Sequence, residues 1–321
     1  MRKVLLTLAV SLMAFSFAQA ERDIEIVLVP GLTTDAFYIT MNRGAQAAAE
    51  ALGIRVSFQG AEEFNPVLQV PVLQAVIARE PDAILIAPTD TVQLIEPLRQ
   101  AVERGIPVIT VDTFIGDGNY QTGLGDADFP LSYIASDNIE GGRIAARAMA
   151  AAIGGEGSVY VSNVRPGIST TDQREAGFKM EMAENFPNVT VLDTQYNDND
   201  ASTAASQFQA VLARTPDLAG VFGANLFSAL GAANGVAGAG MGDVITVVAF
   251  DAPASIVDQL EDGTVNIVIA QHPAEIGYYG VMSAYAHLTG QSIPPLIGTG
   301  FTVITADNVD DPEIQRFIYA D

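Results

Sequence analysis

The chain has 321 residues and is 49% hydrophobic, which is enough apolar sequence for a sizeable buried core and excludes a disordered protein. Its 38 acidic residues outnumber the 15 lysines and arginines, and the net charge of −23 opposes binding to nucleic acids and to anionic membranes. Cysteine is absent, which excludes disulfides, thiolate nucleophiles and Cys-ligated zinc.

The first twenty residues have the three-part pattern of a secretory signal peptide. A basic start at residues 1–3 precedes an apolar run at 4–17, and Ala18-Gln19-Ala20 is a small-x-small cleavage site. The apolar run is shorter than the roughly 20 residues that a membrane-spanning helix needs. We therefore expect residues 1–20 to be removed and the mature protein to lie outside the cytoplasm, without a lipid anchor because no cysteine stands at the junction.

Short apolar strands alternate with helices along the rest of the chain. Strands are predicted at 24–29, 55–58, 83–87, 107–111, 133–135, 158–161, 189–192, 220–222, 244–249 and 265–270. Helices are predicted at 37–52, 66–79, 91–104, 138–153, 171–185, 201–213, 226–237, 253–261 and 273–288. This alternation indicates parallel sheets covered on both faces, and the number of units predicts an α/β protein of two doubly wound lobes.

Polar and aromatic residues follow several of these strands, at the edge where open parallel sheets bind ligands. They are the segment Thr33 to Tyr38, the pairs Asp112-Thr113 and Phe250-Asp251, and the single residues Asn225 and Gln271. Carboxylates and amides suit vicinal hydroxyls, which both donate and accept hydrogen bonds, and aromatic rings pack on the C–H face of a sugar. An aspartate after a strand is often a helix N-cap instead, but the series of five favours a ligand rich in hydroxyls.

Longer motifs carry a resemblance to a known family. They include AFYITMNRGAQ (36–46), GIPVITVD (105–112), IASDNIEGGRIA (134–145), VFGANLFSALGA (221–232) and IAQHPAEIG (269–277). Over nearly all of its mature length the chain resembles periplasmic sugar-binding proteins of the ribose-binding type, the soluble receptors of ABC importers. The resemblance implies a type I periplasmic binding protein fold, in which two doubly wound parallel-sheet lobes are joined by a hinge that the chain crosses three times, near Ser136, Gln271 and Gly300.

The same resemblance implies discontinuous lobes, which a cut at the middle of the chain would miss. The N-terminal lobe would contain residues 21–136 and 272–300, and the C-terminal lobe residues 137–271 and 301–321. It implies a periplasmic protein, expected to be a monomer, that captures a monosaccharide or polyol and delivers it to an ABC transporter permease or presents it to a chemoreceptor. No cofactor, metal or nucleic acid is expected.

A ligand site is implied by the positions that match the family's motifs. Aromatic contacts are expected from Phe37, Tyr38 and Phe250, and hydroxyl-binding groups from Asp112, Arg174, Asn225, Asp251 and Gln271. Three positions depart from the ribose-binding pattern. Asp35 occupies a position where the pattern has an asparagine, Thr113 one where it has a second arginine, and Asn199 one where a third aromatic residue is expected. We therefore predict that ribose is not the best ligand. Phe114 or Tyr196 could supply the missing ring, and Arg165 the missing guanidinium.

Other chemistry leaves weaker signals. Paired carboxylates among Asp35, Asp112, Asp172 and Asp251 would also suit an exported glycosidase, which is the alternative from a different class. His287 is expected to be structural, and no G-x-S-x-G nucleophile elbow is present. Residues 197–200 resemble a calcium loop only in composition, so a helix cap is predicted there. The glycine-rich segment 238–242 does not directly follow a strand and gives little support for nucleotide binding.

Overall fold

The computed structural model describes residues 24–319, so the predicted signal peptide lies outside the described residues. The strands are β1 (Glu25–Val29), β2 (Arg55–Phe58), β3 (Ala83–Ile86), β4 (Val108–Val111), β5 (Tyr133–Ser136), β6 (Gly157–Asn163), β7 (Val189–Val191), β8 (Gln195–Tyr196), β9 (Leu218–Gly223), β10 (Thr246–Phe250), β11 (Ile267–Gln271), β12 (Leu296–Thr299) and β13 (Phe301–Ile304). The helices are α1 (Ala36–Leu52), α2 (Pro66–Ala78), α3 (Ile95–Glu103), α4 (Asn138–Ala152), α5 (Ser169–Asn185), α6 (Ala201–Arg214), α7 (Leu226–Ala239), α8 (Ala254–Glu261), α9 (Pro273–Leu288) and α10 (Pro312–Gln315).

The strands form two sheets of the same design. The first has the order β12-β5-β4-β3-β1-β2, and the second has the order β13-β11-β10-β9-β6-β7, with β8 paired to β6. Neighbouring strands run parallel except β11 and β13, which are antiparallel. We call the parts built on the two sheets the first lobe and the second lobe. The predicted α/β class with two doubly wound lobes is confirmed.

Burial on both faces explains the continuous apolar strands. Every residue of β3 and of β4 is buried, as a central strand of a parallel sheet requires. Helices α4 and α5 pack closely on one face of the second sheet because Gly142 and Gly177 lack side chains at the contact. A Cβ at Gly142 would collide with the Arg174 backbone carbonyl, and one at Gly177 with that of Ile139. This close contact fixes the position of Arg174 on α5.

Three chain segments connect the lobes, as the resemblance implied. Strand β5 of the first sheet leads into α4 of the second lobe, and β11 of the second sheet leads into α9, which packs against α1. Strands β12 and β13 belong to different sheets and are separated only by Gly300. The Ser136 and Thr299 hydroxyls lie 3.2 Å apart where two of these segments meet. The residue bounds of the lobes stay a prediction.

Several element boundaries differ from those predicted. Helix α3 begins at Ile95 rather than at 91, because the Asp90 carboxylate accepts hydrogen bonds from the N–H groups of Val92 and Gln93 and holds a turn there. Strand β10 begins at Thr246 rather than at 244, because a turn after α7 continues to Ile245. Strands β8, β12 and β13 and helix α10 were not predicted, and their segments are short or interrupted by proline and glycine.

Two motifs have local structural roles. Asp200 is the N-cap of α6, where its carboxylate accepts a hydrogen bond of 2.6 Å from the Thr203 N–H, so the predicted cap at 197–200 is confirmed. Gly240 ends α7 in a left-handed conformation, which accounts for one glycine of the 238–242 segment. Within residues 24–319, no helix combines the length and the apolar character needed to cross a membrane.

Candidate ligand-binding site

A cavity of about 40 Å³ lies where the carboxyl ends of the two sheets face each other. Its walls come from both lobes, a position typical of ligand sites in α/β proteins. Nine of the eleven predicted site residues line it: Asp35, Phe37, Tyr38, Asp112, Arg174, Asn199, Asn225, Asp251 and Gln271. Thr113 and Phe250 are buried but do not line the cavity. Among residues 24–319, no three His, Cys, Asp or Glu side chains are grouped so that they could hold a metal ion.

Three buried carboxylates and one guanidinium dominate the electrostatics of the cavity. Asp35, Asp112, Asp251 and Arg174 are each less than a tenth exposed. Burial raises the pKa of Asp35 to about 7, and the neighbouring Asp251 contributes to this rise. Burial also raises the pKa of Asp112 to about 6, although Arg174 and the hydrogen bond from Tyr38 oppose the rise. The site therefore offers strong hydrogen-bond acceptors with little surrounding water.

Asp112 follows β4, and its carboxylate accepts a hydrogen bond from a single donor among the described residues. The Tyr38 hydroxyl donates to its Oδ2 over 2.7 Å, and the Tyr133 hydroxyl donates to its backbone carbonyl over 2.8 Å. The backbone of Asp112 has a φ of 62°, in the left-handed region. Aspartate tolerates this region better than most residues, and such conformations cluster at functional sites.

Asp251 follows β10 in the second lobe and has a φ of 77°. Its Oδ2 accepts a hydrogen bond of 3.2 Å from the N–H of Leu226, the first residue of α7. Its Oδ1 accepts bonds from the Gln271 side-chain amide at 2.9 Å and from the Tyr319 hydroxyl at 3.0 Å. The partial positive charge at the start of α7 also favours the carboxylate. Asp251 is therefore fixed in orientation from three directions.

Arg174 on α5 is held by its surroundings while keeping donors for a ligand. Its Nε donates to Asn138 Oδ1 over 2.8 Å, and one Nη donates to the Ala224 carbonyl over 2.9 Å. The guanidinium lies 3.9 Å from the centre of the Phe250 ring. Phe250 therefore supports Arg174 from behind instead of forming the aromatic wall that the resemblance implied. Arginine carries five N–H donors, so several remain beyond these two bonds.

Amides complete the polar walls. Asn225 is the N-cap of α7, and its amide donates to Asn199 Oδ1 over 2.7 Å. Gln271 Oε1 is buried and has no hydrogen-bond partner among the described residues. A ligand hydroxyl could satisfy this acceptor, since buried polar atoms are normally paired. Asp35 is the N-cap of α1 and accepts from the Phe37 N–H, so capping and a position in the cavity wall coexist in Asp35 and Asn225.

The sequence did not identify Phe64, which lines the cavity. Of the two rings predicted as replacements, Phe114 packs edge-on against Tyr133 with ring centres 5.3 Å apart, and Tyr196 is 40% exposed beside Glu175. Neither ring lines the cavity, so Phe64 supplies a third aromatic face there. Phe64 lies in the polar loop between β2 and α2, several residues beyond the end of the strand, where no local sequence pattern marks a site residue.

Arg165 does not enter the cavity in the place of the missing guanidinium. Its Nη atoms donate to the backbone carbonyls of Phe64 and Thr89, each over 3.4 Å, and so join the two lobes. Thr113 Oγ1 is buried without a hydrogen-bond partner in the described part of the chain. Other lining residues that the sequence did not identify are Leu32, Val164, Ile168, Thr170 and Thr171.

The glycosidase alternative loses one of its carboxylates. Asp172 lies outside the cavity lining, and its Oδ2 accepts a hydrogen bond of 2.8 Å from the Gly167 N–H, which holds the loop before α5. The three carboxylates that do line the cavity are mixed with amides and one arginine. This donor and acceptor set can surround a hydroxylated ligand from both lobes.

Comparison with known proteins agrees with this geometry. A family model described as a periplasmic binding protein domain matches residues 26–292. The chain is 33% identical to the ribose import binding protein of Salmonella typhimurium over 285 residues, which cover 89% of this chain and 92% of the relative.

Solved structures extend the similarity. An ABC transporter solute-binding protein from Agrobacterium vitis, bound to α-D-tagatopyranose, is 71% identical with a TM-score of 0.92 and covers 93% of this chain and 100% of its own. A carbohydrate-transporter solute-binding protein from Agrobacterium radiobacter, in complex with D-arabinose, is 28% identical with a TM-score of 0.86 and the same coverages. These relatives are binding proteins and not glycosidases. The chain therefore belongs to the periplasmic sugar-binding proteins of the ribose-binding type, and it is a binding protein rather than an enzyme.

Proposed function

We propose that the protein captures a monosaccharide in its ring form between the two lobes and delivers it to the permease of an ABC importer. One observation carries this proposal: buried carboxylates, amides and a guanidinium from both lobes line one cavity together with aromatic rings. A polyol would use the same hydrogen-bonding groups but offers no rigid C–H face to Phe37 and Phe64. A ring sugar is therefore the better match.

We further propose that the preferred ligand is D-tagatose or a closely related ketohexose, and that ribose binds more weakly. The relative that is 71% identical was solved with α-D-tagatopyranose. Asp35 adds an acceptor that an asparagine lacks, and its pKa of about 7 lets it accept from or donate to a ligand hydroxyl. Thr113 occupies the position where a ribose site is expected to have a second arginine, and Arg165 does not line the cavity in its place.

Closure of the cleft is the proposed signal to the permease. In the described structure the Phe114 N–H donates to Ser169 Oγ over 3.1 Å, and the Thr91 N–H donates to the Gly167 carbonyl over 3.3 Å. These bonds and those of Arg165 join the lobes on the cleft side. A sugar that bonds both lobes only in the closed form shifts the population toward that form.

The remaining assignments are part of the same proposal. A cleaved leader at 1–20 and a periplasmic location agree with the family's name. The lobe bounds of 21–136 with 272–300, and 137–271 with 301–321, agree with the membership of β12 and β13 in different sheets. We expect a monomer whose closed form is recognised by a chemoreceptor as well as by the permease.

Thermal unfolding with a panel of sugars tests the proposed ligand, because a ligand of the folded state stabilises it by RT ln(1 + [L]/Kd). We expect D-tagatose to raise the melting temperature most, with D-fructose, D-allose, D-arabinose, D-ribose and sorbitol behind it. Calorimetric titration should then give a Kd for ribose at least tenfold higher than for tagatose. A tenfold preference for ribose contradicts the specificity proposal, and chemically altered sugar recovered after incubation contradicts binding without turnover.

A further inference from the structure

The segment after α10 packs against residues that follow β10 and β11 of the second sheet. Tyr319 is buried, and its N–H donates to the Ala252 carbonyl over 2.8 Å, beside an isolated parallel bridge to Pro253. Two residues earlier, the Phe317 ring stacks on His272 with ring centres 4.0 Å apart. His272 is the first residue after β11, so this segment is attached directly to one of the three connections between the lobes.

The Tyr319 hydroxyl is bonded to two residues of the cavity wall. It donates to Asp251 Oδ1 over 3.0 Å and accepts from the Gln271 backbone N–H over 2.9 Å. The Gln271 side-chain amide donates to the same Asp251 oxygen over 2.9 Å. The three residues form a closed set of bonds, in which rotation of the Asp251 carboxylate breaks a bond to each partner. Burial raises the pKa of Tyr319 well above 10, so the hydroxyl keeps its proton.

This set of bonds fixes the polarity of the wall that faces the ligand. Because the Gln271 amide nitrogen is committed to Asp251, its Oε1 is left as an unpaired acceptor in a residue that lines the cavity. Tyr319 itself does not line the cavity but lines a separate pocket, which shares Gln271 with it. Its role toward a ligand is therefore indirect.

The Tyr319 ring also contacts the other lobe. It packs edge-on against Phe37 of α1, with the ring centres 5.8 Å apart and an interplanar angle of 66°. Phe37 lines the cavity and packs edge-on against Tyr38, the donor to Asp112. Tyr319, the last described residue, thus contacts both an aspartate of the second lobe and an aromatic residue of the first.

We propose that Tyr319 is a positioning residue of the sugar site, which holds Asp251 and Gln271 in their binding orientation through its hydroxyl and never touches the sugar. The inference rests on the proposed sugar-binding function. A hydroxyl that contributed only to stability would have the same hydrogen bonds, so the test must separate its action through Asp251 from a general effect on folding.

A double-mutant cycle makes this separation. Binding of D-tagatose is measured by calorimetric titration for the mature wild type, Tyr319→Phe, Asp251→Asn and the double variant, with Tyr279→Phe as the matched control because Tyr279 is 40% exposed on α9. We expect Tyr319→Phe to raise the Kd about tenfold, or about 1.4 kcal/mol, and Tyr279→Phe to change it less than twofold. In the Asp251→Asn background, the second substitution should cost less than twofold.

Two results overturn the inference: a Kd of Tyr319→Phe within twofold of wild type, or the same loss in both backgrounds. If Asp251→Asn abolishes measurable binding, the cycle cannot be completed, and a crystal structure of Tyr319→Phe tests the inference instead. A rotated Asp251 carboxylate or Gln271 amide supports the positioning role, and unchanged orientations contradict it. Failure of the wild type to bind tagatose contradicts the proposed ligand alone, because the crystal structure still tests the positioning of Asp251.

Discussion

Asp112 in the first lobe and Asp251 in the second occupy the same place in two sheets of one design. Each follows the third strand from the β12 or β13 edge, β4 in one case and β10 in the other. Both backbones lie in the left-handed region, with φ values of 62° and 77°, and both side chains are 5% exposed. The two lobes therefore present a carboxylate to the cavity through the same backbone geometry.

The support behind the two carboxylates differs. Among the described residues, the Asp112 carboxylate accepts one hydrogen bond, from Tyr38, whereas the Asp251 carboxylate accepts three. The three donors are the N–H of Leu226, the amide of Gln271 and the hydroxyl of Tyr319. The second lobe thus has a carboxylate oriented before a ligand arrives, and preorganisation of this kind lowers the cost of binding. The carboxylate of the first lobe has more freedom to turn toward the ligand.

Removal of the two carboxylates should reveal this asymmetry most strongly. Hydrogen bonds to charged groups contribute about 1.5–3 kcal/mol each. We expect Asp251→Ala to lie at the upper end, with a Kd raised about 150-fold, because Gln271 also loses its fixed orientation. Asp112→Ala should lie near the lower end, about tenfold. Calorimetric titration with D-tagatose measures both, and Asp262→Ala, at an exposed position after α8, is the control.

Equal losses for Asp112→Ala and Asp251→Ala would remove the asymmetry. Normal binding by both variants would mean that the two aspartates serve only the local structure of the strand ends.

A third carboxylate, Asp35, should make the stability of the ligand-free protein depend on pH. Its pKa is about 7 in the folded protein against 3.8 for the free side chain, because of burial and then of Asp251. The folded state therefore holds a proton that the unfolded state has lost. This contribution to stability is complete below about pH 4 and disappears as the pH rises through about 7, by at most about 1.4 kcal/mol per pH unit. Asp112, with its pKa of about 6, acts in the same direction.

Chemical denaturation of ligand-free wild type and Asp35→Asn between pH 5 and pH 8 measures this effect. We expect the free energy of unfolding of the wild type to fall as the pH rises, and the fall to be shallower in Asp35→Asn, which carries no titratable carboxyl there. Identical slopes for the two proteins would show that Asp35 titrates at its ordinary pKa.

Loss of the Tyr38 hydroxyl should weaken sugar binding at Asp112, the carboxylate with fewer hydrogen-bond donors. Tyr38→Phe removes the one donor to the Asp112 carboxylate among the described residues and should raise the Kd for D-tagatose about fivefold, or about 1 kcal/mol. Because the bond from Tyr38 lowers the pKa of Asp112, its removal should raise that pKa further and shift the acid limb of the binding profile to higher pH. Titrations from pH 5.5 to pH 8 measure the shift. An unchanged profile would mean that Asp112 does not bind the sugar as a carboxylate.

The sequence predicted the repeated α/β units well because their strands are continuous apolar runs, such as 83–87, between helices of ordinary length. It predicted most cavity residues because the carboxyl ends of parallel strands meet at one edge. Phe64 and Tyr319 were missed for a common reason. One lies in a long loop and the other beyond the last predicted helix, so their places in the site depend on tertiary packing that no local pattern records.

Roles were harder to predict than positions. Phe250 was expected as a wall of the site, yet its ring lies behind the Arg174 guanidinium. The position after a strand predicts that a residue lies near the cavity, but the side chain that reaches the ligand depends on what packs in front of it. Arg165 was likewise considered as a cation of the site, and its bonds to the Phe64 and Thr89 carbonyls place it between the lobes instead.

The smallest predicted effect concerns these bonds of Arg165 between the lobes. Both are 3.4 Å long, so each is weak, and Arg165→Ala should raise the Kd for D-tagatose about two- to fivefold, or about 0.5–1 kcal/mol. The loss should come from the closing equilibrium and not from the cavity, because Arg165 does not line it. Small-angle scattering should therefore give a larger radius of gyration for ligand-free Arg165→Ala than for ligand-free wild type, and equal radii at saturating tagatose.

Arg214→Ala, in the last turn of α6 and exposed, is the matched control and should change neither the Kd nor the radius of gyration. A radius that does not change on adding ligand to the wild type would instead indicate a rigid pocket, and the contacts between the lobes would then have no part in signalling to the permease.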